Sequence, residues 1–309
     1  MGKLTQRIKK SSLLGLRLYN DLYALKVKIN YWLYSDRKMI SKWYSDSIGK
    51  KPDLDDPKTL TEKLQWIKLH DRRDLCTICA DKYAVRSYLK EKFGEEYLVP
   101  LLYVTDDYKS ITDAVIPDGH CILKANHDCG HYVIIRDKTK LNYPLLREKC
   151  RGWLMINFYE KTREWQYKNI PRKIIIERLL ETSKGTIPND YKLHFFNGKL
   201  EFVYVSYDRE GINDRCVYDC DWNRLPFVWV PSDTYRDGMN TTDVPKPRTF
   251  EKMVEMGSEI AKDFKYVRVD YYDVDGKLYF GEITLIHGAG YDKFFPEEYD
   301  SYYGAKLIL

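Results

Sequence analysis

The sequence of 309 residues predicts an α+β fold, and three observations support that prediction. Apolar residues recur at helical spacing in several segments before residue 95. From residue 173 onward, segments typical of β-strands dominate. These strands are joined by hairpin turns such as Asn197-Gly198, not by the helical crossovers that parallel strands require. We therefore expect antiparallel sheets accompanied by helices.

Residues 1–50 form a basic N-terminal arm, with eleven Lys or Arg against three Asp, a balance of +8. The arm contains a run of apolar residues at helical spacing, and Arg17, Lys26 and Lys28 lie outside this run. This pattern predicts an amphipathic basic helix. We call this run the apolar stripe; it consists of Leu14, Leu18, Leu22, Leu25, Ile29 and Leu33. Packing of the stripe on the rest of the protein is the favoured interpretation. Docking on an anionic membrane or a polyanionic glycan is the alternative.

The remaining elements follow in order behind a polar, proline-containing segment that predicts a boundary near residue 50. Helical patterns occupy 64–69, 81–93, 141–161 and 249–264. Strands are predicted within 98–104, 121–125, 132–135, 173–181, 190–207 and 266–286, the last two segments as hairpins.

The composition excludes several classes of protein. Hydrophobic residues make up 44% and charged residues 31% of the chain, which does not fit a disordered protein. No apolar window reaches the roughly 18 residues of a membrane span, and we expect a cytoplasmic protein. Seven scattered cysteines favour reduced thiols over a disulfide framework. Cys76 and Cys79 have the spacing of half a zinc site, a less favoured alternative.

The hairpin at Asn197-Gly198 sets Phe196 opposite Lys199. Because side chains alternate along a strand, Asp190, Lys192 and His194 then share one face. A carboxylate, an ammonium group and an imidazole would then lie side by side on this face.

The second hairpin predicts a site for anionic oxygen and a hard metal ion. A three-residue loop ending in Gly276 would set Asp273 opposite Lys277 and Arg268 opposite Glu282, with Asp270 diagonal to Glu282. On this register the shared face holds Arg268, Asp270, Glu282 and Thr284. Carboxylates suit Mg²⁺, and a guanidinium suits phosphate. The alternative is an ordinary solvated sheet face.

The segment CILKANHDCGHYVII places Lys124 on a strand before a short polar loop. A loop containing Gly130 can turn backbone N–H groups toward phosphate oxygens, with the lysine as a nearby charge. His120, His127 and His131 have the spacing of a polar loop more than that of a metal cage.

The order of these blocks resembles the ATP-grasp superfamily, in particular the TupA-like branch found in bacterial surface-polysaccharide gene clusters. The resemblance covers about residues 56–300, and it rests on DPKTLTEKLQWIKLHDRRDL, DKYAVRSYL, CILKANHDCGHYVII, KIIIERLLE, PNDYKLHFFNGK and VRVDYYDVDGKLYFGEIT. It implies two α+β subdomains that grip ATP between antiparallel sheets. The catalytic region would span 51–309, with a lid part at 82–175 and a metal-binding part at 176–309.

The resemblance also implies roles for individual residues. Arg268 and Lys192 are the expected catalytic residues. Asp270, Glu282 and Thr284 are the expected Mg²⁺ contacts, with Thr284 standing where many members have Asn. The expected ATP-binding residues are Lys82, Lys124, Asn126, His127, Gly130, Glu177, Arg178, Leu179, Leu180, Asp190 and Lys192.

The activity implied is an ATP- and Mg²⁺-dependent carboxylate–amine ligase that forms an amide through an acylphosphate. Its expected partners are a uronic-acid-containing glycan or sugar nucleotide and an amino acid or other amine, with no nucleic acid. One alternative is a glycosyltransferase, because Asp219-Cys220-Asp221 and Asp273-Val274-Asp275 have the form that holds a metal and a diphosphate sugar. The other is a non-catalytic protein that binds glycan or membrane.

Overall fold

The computed structural model describes residues 12–309, so the first eleven residues of the predicted arm lie outside the described part. The helix predicted for the arm is confirmed; it begins after Ser12, whose hydroxyl accepts a hydrogen bond from the N–H of Gly15. Thr59 and Glu62 form a capping box at the start of the third helix. The helices before the first strand are α1 (Leu13–Leu33), α2 (Asp36–Ile48), α3 (Leu60–His70), α4 (Asp74–Ala80) and α5 (Val85–Phe93).

The first sheet has four antiparallel strands in the order β1-β4-β2-β3. These are β1 (Leu101–Thr105), β2 (Cys121–Ala125), β3 (Tyr132–Ile135) and β4 (Ile174–Arg178). Between β3 and β4 come α6 (Tyr143–Met155) and α7 (Phe158–Thr162), where the sequence predicted one helix over 141–161. The side chain of Asn157 caps α7, which explains the interruption. The predicted boundary between residues 175 and 176 falls inside β4, which pairs within this sheet.

The second sheet has five antiparallel strands in the order β10-β9-β5-β6-β7. They are β5 (Asp190–Phe196), β6 (Lys199–Tyr207), β7 (Asp214–Tyr218), β9 (Tyr266–Val274) and β10 (Lys277–Thr284). The helix α8 (Phe250–Ala261) packs on β5, β6 and β9. A small sheet pairs β8 (Val228–Val230) with β11 (Lys293–Phe295), and α9 (Glu298–Lys306) ends the chain.

Helix α1 packs on α6 through the face opposite the apolar stripe. Its buried residues are Leu16, Ala24 and Val27. The residues of the stripe are between 47% and 76% exposed. The favoured interpretation, in which the stripe packs on the rest of the protein, is therefore wrong. The polar contacts that α1 makes, and the small residues where it meets α6, decide which of its faces is buried.

The turn at Asn197-Gly198 is confirmed, with both residues in the left-handed region and Phe196 opposite Lys199. The register predicted for the second hairpin is wrong. Asp275 and Gly276, with φ of 55° and 91°, form a two-residue turn that sets Val274 opposite Lys277.

A bulge between Phe280 and Glu282 then shifts the pairing by one residue. Glu282 consequently lies opposite Asp270, and Thr284 lies opposite Arg268. At the bulge, a Cβ on Gly281 would lie 2.9 Å from the carbonyl oxygen of Asp270, a close approach that suits glycine. Without this shift, Glu282 would point to the other face of the sheet.

The C-terminal helix α9 fixes the start of α3. Asp300 accepts hydrogen bonds from the Thr61 N–H at 2.8 Å and from the Thr61 hydroxyl at 2.6 Å. Gly304 packs directly on the backbone of Lys58 and Thr59. These contacts join the C-terminal helix α9 to the start of α3.

We expect Gly304→Ala to lower the free energy of unfolding by about 1–3 kcal/mol, because overpacking forces backbone shifts. The new Cβ would lie 2.2 Å from the Lys58 carbonyl oxygen and 2.7 Å from the Thr59 Cα. The control is Gly119→Ala, whose Cβ would have no neighbour within 4 Å; it should change stability by less than about 0.5 kcal/mol. Chemical denaturation measures both, and equal stabilities of the two variants would contradict the packing of α9 on α3.

Candidate functional site

A cavity of about 370 Å³ lies between the first and second sheets. Strands β2 and β4 contribute one wall, and β5, β9 and β10 contribute the other. Most of the residues predicted from the sequence line this cavity: Lys82, Lys124, Gly130, Glu177, Arg178, Leu179, Leu180, Asp190, Lys192, Arg268, Asp270 and Glu282. Asn126, His127 and Thr284 do not line it.

Asn126 and His127 hold the base of the loop between β2 and β3. The Asn126 amide donates to Asp81 Oδ1 at 2.7 Å, and its Oδ1 accepts from the Lys173 N–H at 2.6 Å. The ring nitrogens of His127 lie 3.1 Å from Asn126 Oδ1 and from the Trp153 carbonyl. Both residues are fully buried, and burial lowers the pKa of His127. The expectation that their side chains contact a ligand needs correction, because these contacts already occupy them.

The exposed part of the same loop is Cys129 and Gly130. Gly130 has φ of 88°, and its Cα faces open space. Lys82 Nζ donates to the Asp128 carbonyl, and His131 Nδ1 lies 2.6 Å from Asp128 Oδ2. Asp128 Oδ1 is buried without a partner in this arrangement. The loop tip is therefore open to the cavity, and a lysine from outside the sheet steadies its base.

A buried carboxylate holds the cations on the first wall. Glu177 Oε2 lies 2.6 Å from Lys124 Nζ, and Glu177 Oε1 accepts from Arg86 Nη1 at 3.1 Å. Lys124 and Glu177 belong to neighbouring strands, β2 and β4. Beyond Glu177, the N–H groups of Arg178 and Leu179 donate to the carbonyls of Pro100 and His120. These two N–H groups are consequently not free to donate to a ligand.

The second wall centres on Asp270. Arg268 donates to it from Nε to Oδ1 and from Nη2 to Oδ2, both at 2.6 Å. Lys192 Nζ, from the adjacent strand, donates to Asp270 Oδ2 at 2.9 Å and also to Asp190. Burial alone would raise the pKa of Asp270, but Arg268 and Lys192 hold that pKa below its usual value. Asp270 is therefore an anion inside the protein.

Glu282 faces this group from β10. Its Oε1 accepts from the Thr284 hydroxyl at 2.7 Å, and its Oε2 lies 3.8 Å from Lys82 Nζ. Arg268 Nη2 lies 3.9 Å from Glu282 Oε1. The Glu282 side chain is 30% exposed, against 5% for Asp270. Thr284 thus orients Glu282, and Glu282 keeps acceptor capacity that faces the cavity.

These carboxylates fit a Mg²⁺ ion that is shared with phosphates. A carboxylate has roughly four lone-pair positions, of which the bonds above use three on Asp270 and one on Glu282. Asp190 Oδ1, on the same wall, is buried without a partner. Within residues 12–309, no group of three or more His, Cys, Asp or Glu residues forms a complete metal cage. Mg²⁺ commonly takes one or two carboxylates and completes its shell with water and substrate phosphates.

His287 and Asp292 are functional candidates that the sequence analysis missed. His287 Nδ1 accepts from Arg268 Nη1 at 2.8 Å, and its Nε2 lies 3.3 Å from Asp292 Oδ2. Trp229 Nε1 donates to the Asp292 carbonyl at 3.1 Å. Burial lowers the pKa of His287, so the ring is a neutral acceptor that orients the guanidinium. The signal available was His287 at the end of a strand, before Gly288, but nothing in the sequence paired it with Arg268.

Other side-chain groups considered in the sequence lie elsewhere. Asp219 Oδ1 accepts from the N–H groups of Asp221 and Asn223, as in an ordinary turn. Asp273 accepts from Thr249, and Asp275 accepts from the Ser183 N–H. None of these aspartates lines the cavity. The seven cysteines all lie within the described part, where they form no disulfide.

No helix in residues 12–309 is long and apolar enough to cross a membrane.

The solved structures that match this chain are distant from it. A D-alanine–D-alanine ligase from Bacillus anthracis has 16% identity over 74% of this chain and 65% of its own, with a TM-score of 0.39. The corresponding enzyme from Helicobacter pylori has 13% identity over 81% and 67%, with a TM-score of 0.41. The ATP-grasp ligase PsnB, complexed with a minimal precursor, has 10% identity over 73% and 59%, with a TM-score of 0.39. The chain thus spans 59% to 67% of the length of these three proteins.

Among curated proteins, none matches this chain. The model of the TupA-like ATP-grasp family matches residues 62–308, which is most of the chain and includes both walls of the cavity. This match confirms the predicted fold and the predicted branch. The chain belongs to the TupA-like ATP-grasp family.

Proposed function

We propose that this protein is an ATP- and Mg²⁺-dependent carboxylate–amine ligase that forms an amide through an acylphosphate. One observation carries the proposal. The anionic pair Asp270 and Glu282 and the cationic pair Lys192 and Arg268 meet on one wall of the cavity, opposite Lys124 and an open glycine-containing loop. Family membership supports the same interpretation.

In this proposal the first wall and the segment 178–180, at the end of β4, hold the nucleotide. Lys124 and Lys82 provide positive charge for its phosphates, and the loop tip at Gly130 provides backbone N–H groups. Since the N–H groups of Arg178 and Leu179 are already bonded, the carbonyls of this segment and the backbone of Leu180 are left to contact the base.

The second wall acts on the reacting phosphoryl group. Lys192 and Arg268 neutralise charge on the phosphoryl and acyl oxygens, while His287 holds the Arg268 guanidinium in place. Asp270 and Glu282 are the proposed Mg²⁺ ligands, and Asp190 lies beside them. When bound, the ion would neutralise phosphate charge and fix the geometry for transfer.

The chemistry requires positioning more than a protein nucleophile. A substrate carboxylate oxygen attacks the γ-phosphorus, the bond to the bridging oxygen breaks, and ADP leaves. An amine then attacks the acylphosphate carbon, phosphate leaves with the bonding pair, and the amine loses a proton. The charges that develop on oxygen lie near Lys192 and Arg268, so electrostatic stabilisation is the main contribution of these residues.

We propose a uronic acid, on a glycan or a sugar nucleotide, as the source of the carboxylate and an amino acid or other amine as its partner. Support for this substrate comes from the polysaccharide setting of the TupA-like branch, not from the cavity. We place the reaction in the cytoplasm, where ATP is available.

The glycosyltransferase alternative has less support. Its two Asp-x-Asp tripeptides have carboxylates engaged with turn backbone and with Thr249, away from the cavity. A non-catalytic binding protein would have no use for buried carboxylates paired with lysine and arginine in a cavity. Burying such charges costs stability, and charge clusters of this kind are typical of functional sites.

Mg²⁺–ATP should raise the apparent stability of the wild-type protein by about 2.7 kcal/mol at one hundred times its Kd. Lys124→Ala should weaken ATP binding by about 10- to 100-fold, since a hydrogen bond to a charged group contributes about 1.5–3 kcal/mol. The matched control is Lys109→Ala, which removes an exposed lysine outside the cavity. Thermal unfolding with and without Mg²⁺–ATP measures both. An unchanged ATP shift in Lys124→Ala would exclude that lysine from the nucleotide site.

Glu282→Gln should reduce turnover by about 100-fold or more while the protein stays folded, because it removes a charge at the metal and phosphates. The partial exposure of Glu282 makes it a better test than Asp270, whose removal would leave Arg268 and Lys192 without their shared partner. The control is Asp221→Asn in the exposed Asp-x-Asp turn, which should keep full activity. Loss of activity in the control with retention in Glu282→Gln would favour the transferase.

Phosphate release from ATP should require a carboxylate and an amine together. UDP-glucuronate with a panel of amino acids is the first combination to assay, with UDP-glucose replacing UDP-glucuronate as the control that lacks the carboxylate. A ligase releases phosphate and ADP in equal amounts, whereas a transferase releases UDP without consuming ATP. Phosphate release with UDP-glucose would contradict a uronic acid substrate, and UDP release without ATP would contradict the ligase.

A further inference from the structure

Helix α1 exposes an apolar surface that is unusual for a protein in water. Of the 17 large hydrophobic residues exposed in the described part of the chain, nine lie within residues 13–34. Six of these nine form the apolar stripe, and Trp32 beside it is 84% exposed. The other eight are scattered over the rest of the described residues. Single exposed hydrophobic residues are normal, but a continuous apolar patch marks an interaction surface.

Specific polar contacts fix the outward orientation of the stripe. The Asn20 amide donates to Glu148 Oε1 at 2.9 Å, and Arg151 Nη1 donates to Asp21 at 2.8 Å. A Cβ on Gly152 would lie 2.6 Å from the Asn20 side chain, so α1 and α6 approach closely here. Rotating α1 to bury the stripe would break all of these contacts.

The C-terminal end of α1 is fixed in the same way. The buried guanidinium of Arg163 donates to the carbonyls of Asn30 and Tyr34 at 3.0 and 3.2 Å, and to Asp36 Oδ1 at 3.2 Å. The outward orientation of the stripe is therefore fixed by the fold.

Charge surrounds the stripe on both sides. At about 100° per residue, the stripe covers roughly 100° of the helix circumference. Lys26 follows one edge, and Lys28 and Arg17 follow the other; all three are exposed. Asp21 also lies near the second edge, but Arg151 pairs with it. The preceding residues 1–11 contain four Lys or Arg and no acidic residue.

We infer that α1 docks the protein on the surface of an anionic phospholipid membrane. The stripe and Trp32 would enter the boundary between headgroups and acyl chains, while the flanking basic side chains contact lipid phosphates. Tryptophan is favoured at this boundary. The helix lies in the plane of the membrane and does not cross it.

Charge and surface type favour a membrane over the other occupants. A second copy of the chain would bring two arms of the same sign, each with a balance of +8 over residues 1–50, into contact. A polyanionic glycan would neutralise the basic residues but leave the stripe in water. Only an anionic lipid surface satisfies both features at once.

The test is sedimentation of the full chain with vesicles in the absence of ATP. Vesicles of phosphatidylcholine and phosphatidylglycerol in equal parts should bind the protein, and vesicles of phosphatidylcholine alone should bind it much less. Raising the ionic strength from about 0.1 M to 1 M shortens the Debye length from about 10 Å to 3 Å and should weaken binding. Failure to bind either vesicle would overturn the proposal.

Two variants separate the apolar and charged contributions. Leu18→Glu with Leu25→Glu should abolish vesicle binding and leave the unfolding temperature unchanged, because both side chains are 55% exposed. The matched control is Ile212→Glu, at a residue that is 65% exposed outside the arm, which should bind like the wild type. Lys26→Gln with Lys28→Gln should weaken binding about thirtyfold, at ~1 kcal/mol per charge. The lysine pair keeps the test valid if the glutamate variant fails to fold.

Other results would contradict the proposal. Vesicle binding that survives in both double variants would place the lipid contact elsewhere. A dimer in sedimentation equilibrium that Leu18→Glu with Leu25→Glu dissociates, without vesicle binding, would assign the stripe to a second copy. None of the stripe residues lines the cavity, so these outcomes leave the ligase proposal unaffected.

Discussion

The ion cluster around Asp270 is the interaction on which the architecture of the site depends. A buried carboxylate without partners would lose its charge, and removing one partner from a buried pair typically costs about 3–5 kcal/mol. Arg268 from the same strand and Lys192 from the next keep Asp270 anionic, and His287 orients Arg268 from behind. Because these groups come from β5, β9 and the segment after β10, the cluster forms only when the strands are in one register. The second sheet therefore determines both the position and the charge state of the site.

The bulge at Gly281 shows how strictly the site depends on the register of the strands. The two-residue turn alone would direct Glu282 to the face opposite Asp270, because a shift of one residue exchanges the two faces of a strand. The extra residue restores the shared face and sets the two carboxylates directly opposite each other. A residue with a Cβ at this position would press on the Asp270 backbone. The turn sequence Asp275-Gly276 and the glycine five residues later act together, and neither by itself brings the two carboxylates to one face.

Sequence reasoning identified which residues meet but not how each of them is used. Alternation along the predicted hairpin correctly placed Arg268, Asp270 and Glu282 on one face, because the two-residue turn and the one-residue bulge together give the same alternation as the predicted three-residue loop. Lys192 was predicted on a separate hairpin, and only the family resemblance assigned it to the same site, since alternation does not show that β5 pairs with β9. The same reasoning could not show that Asn126 and His127 point into the protein, since a polar loop gives no periodic signal. It also missed His287, because this residue lies beyond the end of β10, where alternation along a strand no longer predicts the direction of a side chain. For the arm, hydrophobic spacing predicted the helix correctly and its buried face incorrectly, because the burial is decided by Asn20, Gly152 and Arg163.

Helix α6 connects the arm to the cavity. It holds α1 through Glu148 and Arg151, and the carbonyl of Trp153 lies 3.1 Å from His127 Nε2 at the base of the loop that contains Gly130. The ring of Trp153 also stacks on His131. Since these contacts come from one helix of thirteen residues, the arm and the loop are held in a fixed relation. A protein docked through the apolar stripe would therefore present its cavity at a defined height and orientation above the lipid surface. If both proposals hold, such an arrangement suits a carboxylate substrate anchored in the membrane, because an anchored substrate reaches the cavity without a search in three dimensions.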